Sequence, residues 1–177
     1  VSESDLTINM TLLGGAFGRK SKPDYVAEAA LLSREVGAPV KVTWTREDEI
    51  QHDYYHAICA QRLEASLGHD GGTTGWLHRT VFPPIPATFE PNVVYGGAGI
   101  LQQGVLDMPY HIPNTRMENG PAPNHVRIGW YRSVYNIPHA FAVCSFADEL
   151  AVAAGRDPVD YLRQLLGPAR KIDLKAM

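Results

Sequence analysis

Hydrophobic positions recur along the chain in two periods. Residues 6–13, LTINMTLL, alternate in part and include β-branched side chains, which predicts a strand. A glycine turn follows. Over 21–39, SKPDYVAEAALLSREVGAP, the pattern becomes helical: Tyr25, Ala29, Leu32 and Val36 share one face. Ser21 is the expected N-cap, with Pro23 in the first turn and Gly37 and Pro39 as the stop. VKVTW (40–44) reads as a second strand. In AICAQRLEASL (57–67), Ala57, Cys59, Leu63, Ala65 and Leu67 alternate onto one face. Turn residues at 68–75 and the return strand WLHRTVF (76–82) complete a long hairpin.

Between Pro83 and Pro123 prolines and glycines dominate, and loops, short strands and a short helix near Val105 are expected. HVRIGW (125–130) predicts a short strand. IPHAFAVCSFADELAVAAGRD (137–157) predicts a long helix with the small-residue stripe Ala140, Val143, Ala147, Leu150, Ala151 and Ala154, closed by Gly155. Asp157 and Pro158 then open a last helix through Leu166. The expected fold class is α+β: a mixed sheet with a long β-hairpin and two or three packed helices.

With 177 residues the chain suits one domain, taken as 1–177. A net charge of −3 gives no basic field for nucleic acid. No apolar run approaches the roughly 18 residues of a membrane helix. Cys59 and Cys144 are too few for a zinc site or a disulfide framework and read as buried small hydrophobes. The ends, VSESD and KIDLKAM, suggest a piece of a longer protein.

Two stretches invite chemistry. In LGGAFGRK (13–20), glycines allow positive φ and close backbone approach, and successive N–H groups before a helix can cradle an anion; a tight strand-to-helix turn explains the same residues. In RIGWYRSVYN (127–136), an arginine among aromatics either holds an anion or pairs with an internal carboxylate. HDYYH (52–56) sits in a strand-like alternation, where two histidines four apart cannot share one metal, so it reads as surface or half-buried histidines. The glycine run VYGGAGILQQG (94–104) reads as a mobile loop.

Together, LGGAFGRK with GAPVKVTWTREDEI behind it, and GWYRSVYNIPHAFAVCSFADELA about a hundred residues on, resemble the molybdenum-binding large subunit of the xanthine oxidase/aldehyde oxidoreductase family. The likeness is to its isoquinoline 1-oxidoreductase β-subunit type. It covers most of residues 6–166. It implies a molybdopterin-binding half-domain of aldehyde oxidoreductase type. It also implies that Gly14, Gly15, Ala16, Phe17 and Gly18, with Gly129, Trp130, Tyr131, Arg132 and Ser133, contact a molybdenum–molybdopterin cofactor, expected as the cytosine dinucleotide, with no side chain ligating the metal.

The parent would oxidise an aldehyde or N-heteroaromatic compound with water-derived oxygen. Its partners would be the remainder of the large subunit, a small [2Fe–2S] subunit and a small-molecule substrate. The family's catalytic glutamate lies in a Gly-x-Gly-Glu segment that this sequence lacks, so no catalytic residue is assigned here and the piece alone is expected to be inactive. Ser21 stands where some members place a substrate-binding glutamate, and GWYRSVY replaces the commoner G-P-W-R-S-V-G. Without the resemblance, the turns would suit a non-catalytic anion- or nucleotide-binding module. Neither reading fixes a cytoplasmic, periplasmic or membrane-associated location.

Overall fold

The computed structural model describes residues 2–168. The chain divides into two compact units. One comprises residues up to Ala57 together with Asn124–Val134, and the other Ile58–Pro123 with the chain from Tyr135 onward.

The first unit holds α1 (Asp24–Val36) and α2 (Arg46–His52). The strands expected at 6–13, 40–44 and 125–130 do not form. The first two segments have no ladder partner among the described residues, and the third contributes only an isolated bridge between Tyr55 and Ile128. Alternation marks a segment able to pair, but the hydrogen bonds of a strand come from a neighbour. Met10 and Leu12 are accordingly exposed.

Ser21 is not the cap of α1. It closes a 3-10 turn over Arg19–Ser21, and the helix starts at Asp24 behind Pro23. Gly37 stops the helix at φ 63°, as expected. Of the expected apolar face, Tyr25, Leu32 and Val36 are exposed in this unit and Ala29 is half-buried. The half-buried side of α1 instead carries Glu28, whose carboxylate accepts from the Trp44 indole at 2.9 Å. Helix α2 begins with a reciprocal cap: the Asp48 amide donates to Thr45 Oγ1 (3.2 Å) and the Thr45 amide to Asp48 Oδ2 (3.0 Å).

The second unit is the expected α+β arrangement. β1 (Ala60–Leu67) and β2 (Thr73–Val81) form the antiparallel hairpin, in register from Ala60 opposite Val81. β3 (Asn114–Gly120) adds in parallel on the other side of β2, giving the order β1-β2-β3. A four-residue helix, α3 (Ala98–Leu101), forms near Val105, and of the glycines around it Gly96 and Gly104 are packed whereas Gly97 and Gly99 face open space. A Cβ on Gly96 would meet the Phe82 ring at 2.6 Å, and one on Gly104 (φ 97°) would meet His139 Cβ at 2.8 Å.

Helix α4 (Asn136–Ala153) ends at Gly155, φ 66°, and α5 (Pro158–Leu166) starts on Asp157, whose side chain accepts from the Val159 and Asp160 amides. Of the predicted stripe, Val143, Ala147, Leu150 and Ala151 are buried with Trp76, Tyr161 and Leu165; Ala154 is half-buried and Ala140 is exposed. Trp76 anchors this core edge-on to Phe146 and Tyr110, at 4.9 and 5.9 Å between centroids. Cys59 is half-buried, whereas Cys144 is exposed, contrary to the reading of both as buried: it lies at the edge of the core stripe of α4, beside the Tyr110 side chain. No single helix among the described residues is long and apolar enough to cross a membrane.

A second, polar core joins β1, β2 and α4. His139 Nδ1 faces the Gln103 carbonyl at 2.7 Å, so it carries the ring proton; Nε2 then accepts from the Thr80 hydroxyl at 3.0 Å. The Cys59 thiol completes the relay by donating to Thr80 Oγ1 at 3.3 Å. Gln61 donates its amide to the Pro138 carbonyl, which turns its Oε1 toward His78 Nε2 at 2.8 Å. His78 Nδ1 is left as a bare acceptor, fully buried and without a partner among the described residues.

Candidate functional site

Within the first unit the two glycine-bearing turns meet. Gly18 adopts φ 96°, and a Cβ there would lie 2.5 Å from the Trp130 carbonyl oxygen, so only glycine permits this approach. A cavity of about 160 Å³ opens beside the contact. The first turn lines it with Ala16, Phe17 and Gly18, and the second with Gly129, Trp130 and Tyr131. The remaining candidates, Gly14, Gly15, Arg132 and Ser133, lie on the same two turns but outside the lining. Gly14 faces open space, with nothing within 4 Å of a built Cβ, and Gly15 would press a Cβ onto the Phe17 ring at 3.0 Å. Arg132 is exposed and pairs with no carboxylate among the described residues.

Backbone strain marks both turns. Phe17 has φ 47°, Ser133 φ 69° and Val134 φ 44°, a region that side chains rarely occupy and β-branched ones least. His56 supports the last of these, its Nε2 reaching the Val134 carbonyl at 3.0 Å.

The cations behind the glycines are committed internally. Arg19 grips Asp24 with two nitrogens (2.9 and 2.8 Å) and Asp53 with Nε (2.6 Å). The hydrogen bond to Asp24 is the largest cause of its raised pKa, and Asp53 adds to it. Burial alone would raise Asp24, but the Arg19 hydrogen bond and charge outweigh it and hold the carboxyl below its usual range. The Lys20 ammonium lies 3.9 Å from the Tyr25 ring centroid. Lys22 is buried against Tyr54 and Trp130, and burial lowers its pKa.

The sequence pattern therefore marks both turns but not what holds them. Asp53 and Tyr54 line the cavity from the HDYYH segment, expected to present surface or half-buried histidines. His52 ends α2 and His56 binds carbonyls, so the segment works through the residues between them.

At about 160 Å³ the cavity would take only part of a large cofactor, which the two turns would meet through backbone. The cavity walls are the main chain of the two turns, the rings of Phe17, Tyr54, Trp130 and Tyr131 and the charged Arg19, Lys22 and Asp53, with glycine where the two turns touch. Residues 1–165 match the family described as the molybdopterin cofactor-binding domain. The chain is 33% identical to a nicotinate dehydrogenase subunit from Pseudomonas putida, with 90% of this chain and 14% of that protein aligned. It is 28% identical to the beta subunit of isoquinoline 1-oxidoreductase from Brevundimonas diminuta, over 91% and 21% respectively. It thus spans about a fifth or less of the length of these relatives. The fold is shared with aldehyde oxidoreductase of Desulfovibrio gigas, at a TM-score of 0.66 and 22% identity, over 84% of this chain and 16% of that one. The chain belongs to the molybdopterin cofactor-binding domain family, in the xanthine oxidase/aldehyde oxidoreductase group.

Proposed function

We propose that this chain supplies the cofactor-facing turns of a larger molybdenum-dependent hydroxylase, which oxidises an aldehyde or an N-heteroaromatic carbon with water-derived oxygen. The observation that carries the reading is the convergence of the two turns on one cavity, with Gly18 against the Trp130 carbonyl. Two relatives are named for N-heteroaromatic compounds and a structural neighbour for aldehydes, which supports the substrate class.

In this reading Gly14, Gly15, Ala16, Phe17 and Gly18 present backbone to one side of the cofactor. Gly129, Trp130, Tyr131, Arg132 and Ser133 hold another side. The bound molybdenum–molybdopterin, in the cytosine dinucleotide form, supplies the two-electron redox chemistry, and the chain's own part is position and electrostatics. The glycines keep the approach free of side chains, and Phe17 and Trp130 set rings on its walls. Two cysteines cannot provide the four ligands of a [2Fe–2S] cluster, so in this reading the cluster lies outside this chain, with a small [2Fe–2S] subunit as its proposed carrier. The general base comes from the remainder of the large subunit.

Two features argue against a plain anion-binding module. Arg19 is already taken up by two carboxylates, and the N-terminus of α1 carries its own acid, Asp24. The test is Gly18→Val in the full-length protein, with molybdenum per polypeptide measured by mass spectrometry and folding by circular dichroism. The expected result is at least a tenfold loss of molybdenum in a folded protein. Unchanged molybdenum would falsify the assignment of these turns.

A further inference from the structure

We infer that Tyr54 is a positioning residue that fixes the separation of the two turns, an inference resting on their reading as cofactor-facing. Three cations converge on its ring: Lys22 Nζ at 4.6 Å, Arg19 Cζ at 5.1 Å and Arg127 Cζ at 5.4 Å from the centroid. Arg19 and Lys22 follow the first turn, and Arg127 leads into the second. The ring's negative face thus draws both turns toward one point. Asp24 and Asp53 on Arg19 offset the repulsion among the three cations.

The rest of Tyr54 is fitted to the second turn. A Cβ on Gly129 would lie 2.8 Å from Tyr54 Cβ, so the two backbones pack without a side chain between them. The Tyr131 hydroxyl donates to the Tyr54 carbonyl. The neighbouring residue locks the register: the Tyr55 amide donates to the Arg127 carbonyl at 2.7 Å, and the Gly129 amide to the Tyr55 carbonyl at 3.1 Å. A phenol is un-ionised at neutral pH, so the Tyr54 ring meets the cations as a neutral π face, and burial pushes its pKa further up.

The experiment varies the ring electronics at constant shape in the full-length, cofactor-loaded protein. Position 54 is made Phe, then mono-, di- and trifluorinated Phe, and Leu as the limit without a π face. Molybdenum per polypeptide and the thermal midpoint are measured for each, with Gly18→Val alongside. Tyr54→Phe is expected to keep molybdenum within twofold, with a stepwise fall across the fluorinated series reaching at least fivefold. Should Tyr54→Leu fail to fold, the fluorinated series still decides. Molybdenum independent of fluorination, with Gly18→Val depleted, overturns the role of Tyr54 alone; molybdenum retained in Gly18→Val overturns the cofactor reading beneath it.

Discussion

Acidification from pH 7 to pH 4 will destabilise the sheet-bearing unit through His78. Its Nε2 proton is given to Gln61, and Nδ1 has no acceptor, so a second proton would be buried unpaired. Burial, and then the neighbouring His139, lower its pKa from 6.5 to about 4. The sign follows from linkage. The folded pKa is depressed for a base, so between pH 6.5 and about 4 the unfolded chain binds the extra proton and the folded chain does not. Stability is therefore full above pH 6.5 and falls as pH drops. At about 1.4 kcal/mol per pH unit, the loss from His78 is about 2 kcal/mol at pH 5 and about 3 kcal/mol at pH 4. The assay is urea unfolding at a series of pH values, read by Trp76 fluorescence with Trp44 and Trp130 replaced by Phe. His78→Gln removes the titration. Between pH 6 and 4.5, stability should fall more steeply in the parent than in His78→Gln, by about 1.2 kcal/mol per unit. Equal slopes would refute the reasoning, because the buried ring would then take its proton as readily as the unfolded one.

Two further outcomes are expected. Arg19→Lys keeps the charge but loses the planar fork across Asp24 and Asp53, and should lower the stability of the first unit by about 1 kcal/mol, with Trp44 as the reporter; no change would mean that the ion pairs are solvent-screened. Leu165→Ala opens a hole beside Trp76, Tyr161 and Leu150 and should cost about 2–5 kcal/mol in urea unfolding read by Trp76, whereas a cost below about 1 kcal/mol would mean that α5 is not part of that core.

Helices α1, α4 and α5 and the β1–β2 hairpin were legible in the sequence because each carries its own periodicity and its own stop. Segments 6–13 and 40–44 alternate equally well, yet a strand is completed by its neighbour, which local pattern does not specify. Helix α2 carries no apolar periodicity because REDEIQH is short and polar; the Thr45/Asp48 cap is its one signal in the sequence. In the site, the glycine turns were legible from their resemblance to a family. Arg19 was not, since its partners Asp24 and Asp53 are joined to it by tertiary folding rather than helical spacing. Tyr54 escaped for the same reason: its three cations come from two segments more than a hundred residues apart.

The extended 6–13 segment bears on handling the chain. LTINMTLL is uncharged, lacks proline and glycine, and presents Met10 and Leu12 to solvent on backbone that has no ladder partner among the described residues. Such a strip offers a template for edge-to-edge pairing between molecules. Expressed by itself, the chain will self-associate with rising concentration, and a lysine in place of Leu12 will raise its solubility without disturbing a buried contact.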